Sequence, residues 1–311
     1  AVRMHCSDRK EDKIMVGKQE RRYQRMITVV LALISLIMVI PLVLLVVASF
    51  TSNNEIVLHG YSFFPKELSL EAYRYIWNER AQVFHAYGIT ILVTAIGTTI
   101  GVMMTLLYAY VLAHEKFPGK TFLAFYLFFT MLFNGGLVPT YIMYTRYLHM
   151  KNTIPALIIP GLLMSAFNVI LTRTYIQSNV PAALSEAAKI DGATEFQVFR
   201  KVVLPMCKPI IATVGLFAGL GYWNDWTNGL YYITDTNKFS IQQLLNNMIK
   251  NIEFLSKNAN SNINLASVGG GIPQETVRMA IAIVGLLPIL IVFPFVQKYF
   301  VKGISIGAVK G

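Results

Sequence analysis

Long stretches without charged residues occupy most of this 311-residue chain. A helix needs about 20 residues, each rising about 1.5 Å, to cross roughly 30 Å of hydrocarbon. Backbone groups in lipid must be hydrogen-bonded within their own segment, and these runs lack the alternation of barrel strands. We therefore predict an all-α membrane protein with six transmembrane helices. The runs, which are uncharged or nearly so, are residues 27–50, 87–112, 121–144, 154–172, 208–226 and 277–297.

Charged residues make up only 14% of the chain, against 55% hydrophobic residues, and the net charge is +11. Lys and Arg are concentrated at the ends of the apolar runs rather than along one face, which argues against nucleic-acid binding. If the N-terminus is cytoplasmic, the segments on the cytoplasmic side carry more Lys and Arg than those on the extracellular side. This excess predicts that both termini are cytoplasmic. In this topology the cytoplasmic segments include residues 1–26, 179–209 and 301–311. The longest extracellular loop is residues 225–276.

Residues 179–209 have the features of a short helix-turn-helix. Pro181 suits the first turn of a helix, and Asp191-Gly192 suits a left-handed helix end. Thr194 and Gln197 have the spacing of a capping box, so a second helix is expected to begin there. The expected apolar faces are Leu184, Ala187 and Ala188 on the first helix and Phe196, Phe199 and Val203 on the second, with Pro205 marking its end.

This segment resembles the EAA motif of ABC importer permeases in residue order and spacing. The matching residues are Glu186, Ala187, Ala188, Asp191, Gly192, Ala193, Phe199, Leu204 and Pro205. The resemblance implies the type I importer permease fold and a hairpin that docks on an ATPase subunit. It also implies that Ala187 and Ala188 permit close approach and that Glu186 is a charged anchor to a basic group of the ATPase.

Two further segments extend the resemblance. The C-terminal Ala308–Gly311 looks like the tail of the smaller maltose-type permease subunit, which implies that Val309, Lys310 and Gly311 contact the ATPase. Tyr222–Trp226 is similar to a segment after the fifth span in oligosaccharide permeases. From the second span to the last residue, the chain most resembles the carbohydrate permeases by which Gram-positive bacteria take up complex oligosaccharides.

The family resemblance implies a heteromeric importer in the bacterial cell membrane. Its other members are a second homologous permease, two ATPase subunits and an extracellular solute-binding lipoprotein that delivers the oligosaccharide. ATP and Mg are expected on the ATPases, with no cofactor in this chain. Gly119-Lys120-Thr121 is not the end of a P-loop, because His114 stands where the first glycine belongs. The five scattered histidines predict no metal site, and no nucleophile–base pair suggests an enzyme.

Polar and aromatic residues near the spans are candidates for the sugar path, because aromatic faces stack on sugar rings and amides bond hydroxyls. The candidates are Asn134, Asn168, Tyr222, Trp223, Asn224 and Asp225. The alternative is that the aromatic residues form an interfacial belt and the amides bond neighbouring helices.

Two other functions remain open from sequence. One is an ABC importer permease for a solute other than a sugar, because the hairpin motif is shared. The other is an ion-coupled secondary transporter, although such proteins usually carry ionisable residues within their spans and two related halves.

Overall fold

The computed structural model describes residues 4–114, 117–259 and 274–308, and the side chains of residues 20, 22–114, 117–254 and 274–294. Within these ranges the chain consists of helices and connecting turns, with one isolated β-bridge between Thr51 and Leu68. The predicted all-α fold is confirmed.

The helices follow in chain order. The first eight are α1 (Met4–Ser49), α2 (Asn53–His59), α3 (Glu71–Asn78), α4 (Arg80–Ala113), α5 (Lys120–Leu132), α6 (Leu137–Ile142), α7 (Pro155–Ile158) and α8 (Ala166–Asn179). The others are α9 (Ala182–Ile190), α10 (Glu195–Val198), α11 (Leu204–Met206), α12 (Lys208–Asn224), α13 (Thr227–Tyr232), α14 (Ile241–Ala259) and α15 (Gln274–Ala308). Two π-helical turns, Met143–Tyr147 and Phe199–Val203, continue α6 and α10, and Thr236–Lys238 is a 3-10 turn.

Three helical segments in the described ranges are long and apolar enough to cross a membrane: Arg22–Ser49, Arg80–Ala113 and Gln274–Pro294. Two bent helix pairs raise the number to five if each pair is one span. Lys120–Leu132 meets Leu137–Tyr147 at 115°, and Glu195–Met206 meets Lys208–Asn224 at 81°.

The segment predicted as the fourth span differs from the single helix expected over residues 154–172. It is divided into α7 and α8 by a non-helical stretch that begins after Ile158. Pro160 lacks a backbone N–H, and Gly161 has a φ of +71°, which breaks the helix. The third predicted span, residues 121–144, is broken similarly before α6, where Gly136 has a φ of +82°.

Contacts divide the chain into two compact units. The first contains the residues up to Tyr75 together with residues 273–283. After α1, the Ser52 N–H donates to the Glu67 carbonyl at 2.9 Å, which closes the segment between α1 and α3. The Tyr61 hydroxyl donates to Glu275 at 3.0 Å, so this segment is fixed to the start of α15.

The second unit is built around α4, which packs against α8 and α12. Gly97 and Gly101 lie one turn apart on α4. A Cβ at Gly97 would stand 2.6 Å from Cε2 of Tyr222, and one at Gly101 would stand 2.6 Å from the Leu163 carbonyl oxygen. This small-xxx-small pattern, which we did not single out from sequence, lets two neighbouring segments approach the α4 backbone.

The segment after α12, predicted as a polar extracellular loop, is largely helical where it is described. The buried Gln243 amide donates to the Gly229 carbonyl at 2.9 Å and to the Ile233 carbonyl at 3.2 Å. The Ile241 N–H donates to Thr90 Oγ1 at 2.8 Å. Side-chain amides and hydroxyls thus join α13 and α14 to α4.

Candidate functional site

The predicted helix-turn-helix is present, and its corner is a left-handed glycine. Gly192 has a φ of +85°, follows α9, and donates its N–H to the Lys189 carbonyl at 3.0 Å. The Ala193 N–H donates to the Ala188 carbonyl at 2.9 Å. This pair of bonds closes a Schellman-type helix end, which requires the left-handed conformation that glycine adopts without strain.

A reciprocal capping box begins the second helix, as the sequence predicts. The Gln197 N–H donates to Thr194 Oγ1 at 3.4 Å, and the Thr194 N–H donates to Gln197 Oε1 at 2.8 Å. The helical path does not end at Pro205, however, but continues to Met206 before the 81° bend into α12. The π-helical turn ends at Val203, and α11 begins with the next residue. Pro205 therefore lies in the first turn of α11, where its missing N–H costs little.

We refer to residues 182–206 as the coupling hairpin. Its inner face contains Val198, Phe199 and Val203, with Phe199 only 4% exposed. Ala188, Ala193 and Leu204 pack against the same core. Phe196 was predicted on this face but is 66% exposed, because the helix turns Val198 inward instead. The small size of Ala188 therefore serves packing within the chain.

The outer face of the coupling hairpin is open. Glu186, Ala187, Asp191 and Gly192 are exposed, as is Pro205. Three apolar side chains on the hairpin are also exposed, in addition to the acidic Glu186 and Asp191: Ile190 (87% exposed), Phe196 and Leu184. Apolar residues exposed beside charged residues are typical of a protein-binding surface.

Glu195 connects the two helices of the hairpin to the end of α4. Its carboxylate pairs with Lys189 and accepts a hydrogen bond from the Tyr110 hydroxyl at 2.9 Å. His114 Nε2 lies 3.9 Å from the same carboxylate. The Tyr110 ring meets Phe199 edge-on at 5.2 Å between centroids. The pKa of Glu195 is lower than usual, mainly because Lys189 donates a hydrogen bond to its carboxylate. No local sequence pattern predicts this cluster, because Tyr110 and Glu195 are 85 positions apart.

We expect Glu195→Ala to loosen the coupling hairpin from α4. The carboxylate is largely exposed, so the loss is about 1 kcal/mol, which makes the opened hairpin about fivefold more populated. Tryptic cleavage at Arg200 and Lys201 in the purified subunit should accelerate by that factor. Asp235→Ala, which removes the ion pair with Lys238 in the segment after α12, is the matched control and should leave the rate unchanged. Equal cleavage in wild type and Glu195→Ala would contradict the anchoring role.

Two of the sugar-path candidates, Tyr222 and Asp225, hold the C-terminal end of α12 in place. Tyr222 is buried, and its hydroxyl donates to the Ile158 carbonyl at 2.9 Å. Asp225 accepts hydrogen bonds from the N–H groups of Thr227 and Asn228 at 3.0 and 3.2 Å, so it caps α13. Both side chains thus bond the protein itself at this end of the helix.

The remaining candidates do not converge on one place. Trp223 lines a cavity of about 290 Å³ between α4, α12 and α15, and its Nε1 donates to the Gly285 carbonyl at 3.4 Å. Asn168 lines a different cavity of about 390 Å³. Asn134 and Asn224 are exposed; Asn134 bonds the Gly136 N–H and Asn224 the Leu220 carbonyl.

Val309, Lys310 and Gly311 lie outside the described residues, as do residues 260–273 of the predicted extracellular loop. Among the described residues, no group of three or more His, Cys, Asp or Glu side chains is arranged to hold a metal ion.

Comparison with known proteins indicates the same family that the sequence of the hairpin resembles. Residues 97–306 match the family described as the binding-protein-dependent transport system inner membrane component. The polygalacturonan/rhamnogalacturonan transport system permease protein YtcP of Bacillus subtilis is 35% identical, covering 94% of this chain and 100% of that protein. The arabinooligosaccharides transport system permease protein AraQ of Halalkalibacterium halodurans is 26% identical, covering 92% of this chain and 96% of that protein.

A solved structure is also similar. It belongs to a bacterial ABC transporter involved in the import of the acidic polysaccharide alginate, and one of its chains matches with a TM-score of 0.72 and 28% identity. The match covers 91% of this chain and 98% of that chain. The breaks in the third and fourth predicted spans therefore lie within a fold that is similar to a known transporter.

Proposed function

We propose that this chain, which belongs to the family of binding-protein-dependent transport system inner membrane components, carries an oligosaccharide across a bacterial cell membrane. It is the permease component of an ABC transporter, a multi-pass membrane subunit and not an enzyme. A permease of this kind works with a solute-binding protein and with ATPase partners.

The proposal for the substrate rests on one observation. The relatives that cover nearly the whole chain are named for polygalacturonan and rhamnogalacturonan, for arabinooligosaccharides and for alginate. These substrates differ in charge and in monomer, yet all of them are chains of sugars. An oligosaccharide is therefore the substrate class that we propose for this permease.

The proposed complex contains a second, homologous permease and two ATPase subunits, where ATP and Mg bind. Glu186, exposed on the coupling hairpin, is the proposed anchor to a basic group on one ATPase. The distribution of Lys and Arg supports cytoplasmic termini, which puts this hairpin and the tail residues Val309–Gly311 on the ATPase side. The segment after α12 is then extracellular, where the solute-binding protein delivers its cargo.

Transport by the whole complex tests the proposed function. The permease is purified with its partner permease and ATPases and reconstituted in liposomes, and its binding protein is added outside. Uptake of labelled oligogalacturonates, arabino-oligosaccharides and alginate oligosaccharides is measured. We expect uptake of at least one of these to require both ATP inside the liposomes and the binding protein outside.

Two results would contradict the proposal. Uptake that follows a proton or sodium gradient without ATP would indicate an ion-coupled transporter. ATP-dependent uptake of amino acids or peptides, with no uptake of any oligosaccharide, would indicate a permease for another solute.

A further inference from the structure

The cavity of about 290 Å³ between α4, α12 and α15, which we call the Trp223 cavity, lies within the second unit. Its wall consists of Thr94 on α4, the face of α12 from Ala212 to Trp223, and the part of α15 from Pro288 to Phe293. Helices α4 and α15 each contain a segment that is long and apolar enough to cross a membrane, and α12 belongs to one of the bent pairs. The cavity therefore lies at membrane depth.

One end of the Trp223 cavity is closed by hydrogen bonds to α15. Pro288 has no N–H, so it leaves the Val284 carbonyl without its usual helical donor. The Tyr87 hydroxyl donates to this carbonyl, and Trp223 Nε1 donates to the Gly285 carbonyl at 3.4 Å. Helices α4 and α12 are thus joined to α15 just before Pro288, and the cavity begins at this proline.

The chemistry of the wall excludes ordered water. Among the side chains that line the cavity, Thr94 Oγ1 is the one polar atom without a partner, because the Trp223 indole already bonds α15. A buried water needs about two to four polar partners, and apolar cavities without them stay dry. Val292 and Phe293 are 54% and 45% exposed, so the cavity opens to the outside of the helices. An apolar group from the bilayer fits such a space.

The wall that α12 contributes has the length of one leaflet. From Ala212 to Trp223 it extends for about 16 Å, at about 1.5 Å per residue. Half of a hydrocarbon core of about 30 Å is about 15 Å. Ala212, Gly215 and Gly219 follow one another at helical spacing on this wall and carry no large side chain. The space beside α12 is therefore elongated along the helix, as an acyl chain requires.

Lys208 lies at the other end of the same helix face. It is the first residue of α12 and precedes Ala212 by four positions, so both side chains lie on one side of the helix. Lys208 is exposed and has no hydrogen bond or ion pair to any residue that the structure describes. In the predicted topology it lies at the cytoplasmic surface of the membrane, where a lysine attracts anionic head groups.

We propose that the Trp223 cavity binds one phospholipid of the leaflet that surrounds the start of α12. One acyl chain lies along α12 from Ala212 to Trp223, and Lys208 attracts the phosphate of the same lipid. The apolar wall supplies the affinity for the chain, because each methylene that leaves water or a disordered surface for a fitted apolar wall gains contacts. This site is separate from the transported solute, so the inference does not depend on which solute the permease carries.

A photoactivatable lipid tests the site in the assembled complex. The permease with its partner permease and ATPases is reconstituted in vesicles of phosphatidylcholine and phosphatidylglycerol. A small fraction of the phosphatidylglycerol carries a diazirine in the middle of one acyl chain. Illumination attaches this probe to the residues that it contacts, and mass spectrometry of the peptides locates the adducts. We expect adducts on residues 212–223 and 288–293.

Two substitutions remove the two parts of the site. Gly219→Leu fills the cavity, and its Cβ has room, since the nearest atom would be Thr98 Oγ1 at 3.6 Å. It should lower the labelling of both segments about tenfold, because its side chain displaces two or more methylenes of the lipid. Lys208→Ala should lower the labelling about fivefold at a low fraction of probe, through loss of one attraction to the phosphate.

Each substitution has a matched control. Gly88→Leu adds the same bulk on α4, at an exposed glycine with nothing within 4 Å of an added Cβ. Lys120→Ala removes a lysine that begins α5 as Lys208 begins α12. Gly88 and Lys120 are not among the residues that line the cavity. Both control variants should be labelled on residues 212–223 and 288–293 as strongly as wild type.

Three results would overturn the lipid site. The wild type could show no adduct on either segment, as expected if a helix of the partner permease covers the cavity. Labelling could be unchanged in Gly219→Leu, or it could fall equally in Lys208→Ala and Lys120→Ala. If Gly219→Leu does not assemble, Gly215→Leu decides, because its Cβ would meet Val102 at 3.9 Å. None of these results bears on the proposed function, since uptake is not measured.

Discussion

Replacing Glu186 by lysine is expected to abolish association with the ATPase subunits and with it sugar uptake. The side chain is exposed on the outer face of the coupling hairpin, so the substitution does not disturb the core. Loss of a charge-assisted contact costs about 1.5–3 kcal/mol, a weakening of about 10- to 150-fold. Lysine adds repulsion from the same basic group, so Glu186→Lys should be more damaging than Glu186→Ala. Co-purification of the ATPase with tagged permease measures the effect.

The control for this experiment is Glu20→Lys. Glu20 is an exposed carboxylate on α1, on the same predicted side of the membrane but in the other compact unit. We expect Glu20→Lys to retain the ATPase and both Glu186 variants to retain the partner permease. ATPase recovery and uptake in Glu186→Lys that equal those of wild type would refute the coupling role of this residue.

Substitution of Gly97 by leucine is expected to prevent folding of the second unit. Even the Cβ of alanine would stand 2.6 Å from Cε2 of Tyr222, whose ring is buried and whose hydroxyl is fixed to the Ile158 carbonyl. Displacing the ring breaks that hydrogen bond and strains the packing, each at a cost of about 1–3 kcal/mol. Gly97→Ala should therefore lower the thermal unfolding temperature of the purified subunit, and Gly97→Leu should leave almost no folded protein.

Gly88→Ala is the matched substitution, since Gly88 lies on the same helix with nothing within 4 Å of the added Cβ. It should be neutral or raise stability by about 0.5–1 kcal/mol, because alanine favours the helix. Unfolding temperatures that are equal for Gly97→Ala and Gly88→Ala would show that Tyr222 is not held against α4 as described.

The helical fold and the coupling hairpin could be predicted because their signals are local. Uncharged runs of about 20 residues leave few alternatives to helix in lipid. The left-handed Gly192 and the capping box of Thr194 and Gln197 are each determined by residues within one helical turn, and the structure confirms both. The breaks at Pro160-Gly161 were harder to predict, because proline and glycine are frequent in membrane helices that remain continuous.

Features that depend on distant residues were missed. Nothing in the sequence around Tyr110 or Thr105 indicates that one contacts Glu195 and the other faces a cavity. The sugar-path candidates were chosen for residue type near a span end, and this criterion also selected Tyr222 and Asp225, whose side chains bond the protein itself. Hydrogen-bond partners, which distinguish these groups, follow only from the packing of the helices.

The central claim is that the outer face of the coupling hairpin meets the ATPase, and site-specific photo-crosslinking tests it most directly. Benzoylphenylalanine is placed at Ile190 or Phe196, both strongly exposed on the hairpin, and at His59 in the predicted extracellular segment as a control. Illumination of the assembled complex in membranes should link positions 190 and 196 to an ATPase subunit, and position 59 to none. Crosslinks from the hairpin to lipid or to the solute-binding protein, with none to an ATPase, would contradict the account.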